Sequence, residues 1–402
     1  MPAESAPSVS PMVATDLGVR RGPGVAPAAP DGAPDGRPGL RGSFLFWPVV
    51  VYVVARGLTL AALGITDLLT RDSFVSQVYR WDGKWFVHAA QNGYPRHLPM
   101  VHGHVAGNTI AFFPLYPGLI RWISHLTTVS PLVVAAVISA ATGLSATVAV
   151  GLLVRHWAGA EAATRAGLLF AVFPGTFAFT LMYSEGIAIT CIALGLLALL
   201  RRRWWVAGLL GLAATATTPI ALAFVASCAW CAVAAVRQRR EWRALVAPVL
   251  APLGFVAYMV WLWVHTGQLN AWRLTERGGW NSYPSLVYPF HILATFLFDP
   301  IRPTETGQLL FAGTVVAVVG AVLAVRQRQP APVLLYGLAA AALAAVAAPV
   351  GLRPRFLMLA FPLVVAFATR FHGKAYAAVL VLSVTGLVLM TWLELFSMAV
   401  FP

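Results

Sequence analysis

Long, uninterrupted runs of apolar residues fill most of this 402-residue chain. Such runs are typical of membrane-spanning helices, whereas the strands of a membrane β-barrel alternate polar and apolar residues. We therefore predict an all-α polytopic membrane protein with about eleven spans. The spans are expected at about 45–69, 131–154, 164–182, 186–200, two within 204–236 divided at Thr217-Thr218-Pro219, 244–264, 308–325, 331–350, 356–369 and 375–397.

Two polar-aromatic stretches interrupt the apolar runs: the first long loop, about 70–130, and the second long loop, about 265–305. Tryptophan and tyrosine favour the membrane–water interface, so we expect interfacial helices in the first long loop. Residues 1–43 are rich in Pro, Gly, Ala and Ser and contain no aromatic residue. Such a composition cannot bury a core, which predicts a disordered tail before a single membrane domain over 44–402.

Composition and charge agree with a membrane protein and suggest its orientation. The chain is 59% hydrophobic and 10% charged, against about 25% charged residues in a soluble domain. Its net charge is +14, but the cations are dispersed between apolar spans, which argues against nucleic-acid binding. Arginine pairs recur in alternate short loops and in the tail, so the positive-inside rule predicts a multi-pass plasma-membrane protein with a cytoplasmic N-terminus and both long loops outside.

Cysteine and histidine residues give no metal or redox motif. Cys191, Cys228 and Cys231 lie inside apolar runs, and the C-x-x-C spacing of the last two has no second pair to complete a zinc site. His102 and His104 adjoin neither a carboxylate nor a cysteine. No P-loop or dinucleotide fingerprint is present, so no metal site and no nucleotide cofactor are predicted.

The segment that we single out for chemistry lies in the first long loop, where Asp82 has Arg80, Trp81 and Lys84 as close neighbours in the sequence. A carboxylate in an aromatic, partly dry setting can act as a general base toward a hydroxyl. It can equally pair with Arg80 or Lys84 in an interfacial helix. The residues alone leave both interpretations open.

Three further charged sites are expensive to place in or beside a bilayer. Arg56 lies mid-span and should find an acceptor inside the bundle, unless it snorkels to the surface. Glu185 follows the third span and is either ordinary loop polarity or a group that reaches beneath the first long loop. Arg353 and Arg355 flank Pro354 after the ninth span, where they suit a phosphate or form a simple turn.

The second long loop combines tryptophan with arginine, at Trp272, Arg273, Arg277 and Trp280. These residue types suit stacking on a sugar and contact with a phosphate. They also suit an interfacial helix that binds no ligand. Cations in loops predicted to be external break the positive-inside pattern, and an anionic ligand would explain them.

A resemblance to a known family runs through these segments. Arg80-Trp81-Asp82-Gly83, Gly93-Tyr94-Pro95 and Phe112-Phe113-Pro114-Leu115-Tyr116-Pro117 together resemble the PIG-V family, the GPI mannosyltransferase 2-like membrane glycosyltransferases of the GT-C class. The resemblance covers most of residues 45–370, in order. Its further matches are Arg56, Tyr183-Ser184-Glu185, Trp280, Arg353 and Arg355.

One position departs from the family pattern. Thr218 stands where the family often has an arginine before the proline near the end of the fifth span. This difference puts in doubt part of the phosphate or donor contact, or the choice of donor.

The resemblance implies a GT-C-like bundle that transfers a sugar from a polyprenyl-phosphate-sugar donor, typically polyprenyl-phosphate mannose. It implies inversion at the anomeric carbon, with Asp82 as the general base, and no cofactor besides the lipid-linked donor. Whether a metal is required stays open. The residues that it implies for substrate binding are Arg80, Trp81, Lys84, Arg56, Tyr116, Glu185, Trp280, Arg353 and Arg355.

The acceptor follows only from composition. Arginine is common and lysine rare, as in GC-rich bacterial genomes of actinobacterial type. Bacteria lack GPI anchors, so the expected acceptor is a glycolipid, polysaccharide or protein of the cell envelope. A flippase for lipid-linked sugars and a non-catalytic subunit of an envelope complex remain alternatives, although no internal repeat of the transporter kind is visible.

Overall fold

The computed structural model describes residues 43–69, 78–79, 81–298 and 305–396. The predicted tail up to residue 42 and Arg80 lie outside this part of the chain, and the described residues belong to one compact unit. The described secondary structure is helical apart from two short ladders, which confirms the all-α prediction.

The first half of the chain forms the helices that carry most of the first long loop and the centre of the bundle. They are α1 (Phe46–Leu69), α2 (Trp81–Asn92), α3 (Leu115–Thr127), α4 (Pro131–Ala171), α5 (Glu185–Leu200), α6 (Trp204–Thr215) and α7 (Ala223–Arg239). Short 3-10 helices cover Thr109–Ala111, Pro174–Phe179 and Pro219–Leu222.

The second half begins with a 3-10 helix at Trp242–Leu245 and continues the bundle. Its α-helices are α8 (Val246–Leu250), α9 (Leu253–Thr266), α10 (Ala271–Trp280), α11 (Tyr288–Phe298), α12 (Glu305–Arg326), α13 (Ala331–Val346), α14 (Pro354–Leu359), α15 (Phe361–Arg370) and α16 (Gly373–Phe396).

Two antiparallel ladders of two residues per strand tie the loops. β1 (Met100–Val101) pairs with β2 (His104–Val105) inside the first long loop. β3 (Tyr283–Pro284) pairs with β4 (Ala347–Ala348), with Tyr283 opposite Ala348. The second ladder therefore links the second long loop to the segment that leads to Arg353 and Arg355.

Five described helices are long and apolar enough to cross a membrane, or six if the pair Trp242–Leu250 and Leu253–Thr266, bent by 43°, forms one span. Five shorter apolar helices of 10–17 residues accompany them, whereas a full span takes about 20 residues. The chain is thus a multi-pass membrane protein, and the count of eleven spans stays a prediction.

Several predicted spans are interrupted, and the breaks have local causes. The span expected over 164–182 is helical only to Ala171, because Phe173 takes an extended conformation before Pro174. Gly159 separates this short helix from the preceding span with a φ of 82° that suits glycine. The span expected over 356–369 is broken at Ala360 into α14 and α15.

The 3-10 helix Pro174–Phe179 packs against the start of α14. A Cβ atom on Gly175, in the 3-10 helix Pro174–Phe179, would lie 2.2 Å from the carbonyl oxygen of Pro354. This close approach needs a residue without a side chain. It sets the position of α14, and therefore of Arg355, relative to α5 and the core.

We predict that Gly175→Ala lowers the free energy of unfolding by about 1–3 kcal/mol, as overpacking in a filled core does. The added methyl group would displace the Pro354 backbone. Unfolding in mixed detergent micelles, followed by circular dichroism, measures the change. Gly118→Ala is the matched control, since a Cβ there meets nothing within 4 Å. Equal stability of the two variants would contradict this account.

Candidate active site

A buried arginine joins two carboxylates from distant parts of the chain. Arg355 donates from Nη1 to Oδ2 of Asp82 over 2.5 Å and from Nε to Oε1 of Glu185. The planar guanidinium presents its donors as a fork, so one arginine can hold two carboxylates in fixed directions. We call Asp82, Glu185 and Arg355 the charged triad.

The fold brings the triad together at three helix starts. Asp82 lies in the first turn of α2, and Glu185 begins α5. The N-terminal end of a helix carries partial positive charge, which favours both carboxylates. Arg355 follows the proline that begins α14. The suggestion that Glu185 reaches beneath the first long loop therefore agrees with the geometry.

An aromatic ring completes the enclosure of Arg355. Its guanidinium carbon lies 4.1 Å from the ring centroid of Tyr183, which is fully buried. Burial lowers the pKa of Arg355, but the charges of Glu185 and then Asp82 outweigh it and raise that pKa above its ordinary value. Arg355 therefore stays a cation inside the protein.

Only one member of the triad is open to a substrate. The side chains of Arg355 and Glu185 are 7% and 5% exposed, whereas that of Asp82 is 26% exposed. The buried pair fixes the direction of the Asp82 carboxylate, which can still meet a molecule outside. This is the arrangement that a positioned general base requires.

Buried apolar residues hold the helix of Asp82 in place. Phe86 and Val87 of α2 are buried against Leu63 and Tyr116 in one apolar cluster. Trp81 precedes Asp82 with a φ of 48°, a left-handed conformation that is rare for a bulky residue. Backbone strain of this kind persists where the surrounding structure imposes it, often beside functional groups.

Trp81 and Lys84 lie close to Asp82 in sequence, in the first turn of α2. Lys84 is exposed, and its Nζ lies 5.7 Å from the ring centroid of Trp85. Trp81 is half-buried. Arg80 lies outside the described residues, so its predicted role stays a prediction.

Aromatic rings from both long loops meet at Trp85, three residues after Asp82 on α2. Trp280 contacts Trp85 at 5.6 Å and Phe112 at 5.4 Å between ring centroids. Trp85 in turn stacks on Phe112 at 6.1 Å. Trp280 of the second long loop thus joins the aromatic wall of the first, and a sugar could stack on its half-buried ring.

Sequence reasoning overlooked one carboxylate near Asp82. Glu276 is half-buried on α10, four residues before Trp280. Burial and then the negative charge of Asp82 raise the pKa of Glu276 to about 7. The spacing to Trp280, which puts both residues on one helix face, was the available signal. This spacing becomes informative only with the structure, which shows that Trp280 contacts Trp85 on the helix of Asp82.

Arg353 lies at the start of α14, near the triad but not in it. It is 9% exposed and donates from Nη2 to the carbonyl of Pro349 at 3.5 Å. Burial lowers the pKa of Arg353, and the positive charge of Arg355 adds to this effect, while Tyr288 and Asp82 oppose it. The second cation is thus within electrostatic reach of Asp82.

Arg56 and Tyr116 are packed inside the protein. Arg56 is 5% exposed and donates to the carbonyl of Thr176 and to Oγ1 of Thr180 at 3.1 Å. It has therefore found acceptors inside the bundle, as expected for a mid-span arginine. Tyr116 is fully buried, and its hydroxyl donates to the carbonyl of Ala135 at 2.8 Å. Neither side chain is hydrogen-bonded to a member of the triad among the described residues.

Thr218 lies beside the helix of Tyr116. It precedes the 3-10 helix Pro219–Leu222 in an extended conformation, and Leu115 donates its backbone N–H to the carbonyl of Ala216 at 3.1 Å. The position where the family often has arginine is thus joined to the Pro114-Leu115-Tyr116 segment. Among the described residues no group of three or more histidine, cysteine or acidic side chains could hold a metal ion.

No family model and no curated protein sequence matches the chain. Among solved structures it is similar to ArnT from Cupriavidus metallidurans bound to undecaprenyl phosphate, with a TM-score of 0.51 and 15% identity over 82% of this chain and 62% of that one. The oligosaccharyltransferase of Archaeoglobus fulgidus in the apo form gives a TM-score of 0.48 at 15% identity, over 87% and 55% of the two chains.

The chain therefore has the fold of GT-C membrane glycosyltransferases. It spans about three fifths of the length of ArnT. The identity is low enough that the likeness concerns the fold alone. Membership of the PIG-V family stays a prediction.

We predict that Arg355→Met lowers the free energy of unfolding by about 3–5 kcal/mol, because it leaves Glu185 buried without its partner. Adding Glu185→Gln should recover part of the loss, since a neutral amide is easier to bury than an unpaired carboxylate. Unfolding in mixed micelles gives the four free energies of the double-mutant cycle.

Arg326→Met, at an exposed arginine of α12, is the control and should change stability little. Strictly additive effects of the two triad substitutions would argue against a coupled triad.

Proposed function

We propose that this protein is an inverting membrane glycosyltransferase with Asp82 as its general base. It transfers a sugar, mannose by family resemblance, from a polyprenyl-phosphate donor to an acceptor of the cell envelope. The observation that carries the proposal is a partly exposed carboxylate held in direction by a buried arginine, within a GT-C fold.

The proposed reaction uses the partly exposed Asp82 carboxylate as the proton acceptor. The acceptor hydroxyl transfers its proton to the Asp82 carboxylate while its oxygen attacks C1 of the donor sugar. The bond between C1 and the phosphate oxygen breaks, and the phosphate leaves with the electron pair. Attack from the side opposite the phosphate inverts the configuration at C1. Arg355 acts as a positioning residue here, because it holds Asp82 and not the substrate.

Negative charge grows on the leaving phosphate and needs cations in place beforehand. Lys84 is exposed on the helix of Asp82, and Arg353 lies within electrostatic reach of that carboxylate. We assign the phosphate contact to these two and to Arg80. The burial of Arg56 favours a supporting role through Thr176, in the 3-10 helix that abuts α14.

Aromatic residues would stack on the sugar and hold the helix of Asp82 in place. Trp81, next to Asp82, and Trp280, in contact with Trp85 of the same helix, are half-buried and would offer ring faces to a hexose. Tyr116 is buried beneath α2, where its ring lies 5.0 Å from that of Phe86, so we assign it to holding that helix in place.

The donor class and the location rest on different arguments. ArnT, which shares the fold, binds undecaprenyl phosphate, and a polyprenyl chain suits a protein whose exposed surface is rich in apolar side chains. The charge pattern favours a site on the outer face of the plasma membrane. The bacterial type of composition favours a glycolipid, polysaccharide or protein of the envelope as the acceptor.

We expect Asp82→Asn to lower transfer from a radiolabelled polyprenyl-phosphate mannose by about 10²–10⁴-fold, the usual contribution of a general base. The amide keeps the size of the side chain but cannot take a proton. The purified protein in lipid vesicles, with an envelope extract as the acceptor, provides the assay. Thermal unfolding should show that the variant is folded.

Glu161→Gln removes an 86% exposed carboxylate on α4 and should leave transfer unchanged. Full activity of Asp82→Asn would remove Asp82 from its role. Movement of labelled lipid-linked sugar across the vesicle without transfer by the wild-type protein would replace the transferase with a flippase.

A further inference from the structure

We propose that Glu276 is a proton-relay carboxylate, which receives the acceptor proton from Asp82 and passes it to solvent. This inference rests on the proposed transferase function and assigns the second long loop a chemical role. The structural basis is the contact between α10 and α2 through Trp280 and Trp85.

The tryptophan pair that joins the two helices also places the two carboxylates. Asp82 lies three residues before Trp85 on α2, and Glu276 lies four residues before Trp280 on α10. Residues three or four apart share a helix face. Because the rings of Trp85 and Trp280 are 5.6 Å apart, both carboxylates lie on the sides of the helices that meet.

Tight packing fixes α10 at this place. Thr275, next to Glu276, is fully buried, and its Oγ1 accepts from Nδ2 of Asn108 at 3.2 Å. Cβ atoms on Gly278 and Gly279 would lie 2.3 Å from the carbonyl oxygen of Val105 and 2.6 Å from Cα of Gly107. A helix held this closely keeps the Glu276 carboxylate in one position, as a proton relay requires.

The surroundings of Glu276 favour reversible protonation. Asp82 of α2 and Tyr258 of α9 lie within electrostatic reach of Glu276, and burial and then the charge of Asp82 raise the pKa of Glu276 to about 7. Ser282 and Trp272 oppose this rise. The other titratable or charged groups on α10 and on the helix and strands packed against it are Arg273, Arg277, His104, His265 and Tyr283.

Asp82 and Glu276 therefore differ in how they are held and in the role that each would play. Asp82 is bonded to Arg355 and fixed in direction, whereas Glu276 changes its protonation near neutral pH. A group whose pKa lies near the working pH both takes and releases a proton readily.

The proton balance of the step is simple. The proton leaves the acceptor oxygen for Asp82 as the new bond to C1 forms and the phosphate departs. It then moves from Asp82 to the Glu276 carboxylate, which becomes a neutral carboxyl group and later releases it to water. Asp82 is again an anion for the next turnover, and no oxidant or metal takes part.

The test is the pH dependence of steady-state, multiple-turnover transfer by the full chain in vesicles, with polyprenyl-phosphate mannose as the donor and an envelope extract as the acceptor. The wild-type rate should fall about tenfold per pH unit below pH 7, since protonated Glu276 cannot take the proton that must leave Asp82 between turnovers. Glu276→Gln should lower the rate at pH 8 by about 10-fold to 100-fold and abolish this acid limb.

Glu276→Asp keeps a carboxyl group and should restore the acid limb, which a purely structural role would not require. Glu161→Gln is the control and should keep the wild-type profile. If Glu276→Gln lowers the rate equally at every pH and keeps the limb near pH 7, Glu276 is structural and the proposal fails. An inactive wild-type protein, or a fully active Asp82→Asn, would instead refute the transferase proposal.

Discussion

The burial of one positive charge organises this protein. Arg355 is nearly inaccessible, and a guanidinium in such a place is tolerated only if acceptors surround it. Its acceptors come from positions 273 and 170 residues away along the chain, and the ring of Tyr183 covers its face. The starts of α2, α5 and α14 must therefore converge.

Breaks in the helices make this convergence possible. A continuous helix through Pro174 or through Ala360 would leave no room for the 3-10 helix and the short α14 to touch at Gly175. Irregular backbone is tolerated in a membrane protein where protein and not lipid surrounds it. Here it is buried, and it links Arg56, through Thr176, to the support of Arg355.

The two long loops contribute different kinds of carboxylate to one place. The first supplies Asp82, which an ion pair holds in direction, and the second supplies Glu276, which nothing charged of opposite sign holds among its described contacts. The aromatic contacts of Trp280 with Trp85 and Phe112 keep the loops together. In the proposed mechanism, proton transfer and sugar stacking would then both take place next to this aromatic cluster.

The sequence by itself determined the membrane class, the helical architecture and the loop that carries Asp82, because apolar runs and charge placement are local properties. It also predicted that Arg56 must find acceptors inside the bundle. Only the tertiary structure decided that Arg355 binds Asp82 and Glu185, and that Glu276 lies within electrostatic reach of Asp82. Such pairings join residues from distant parts of the chain, and no local periodicity encodes which helix starts meet. Helix ends such as Ala171 were likewise set by proline geometry and packing rather than by hydropathy.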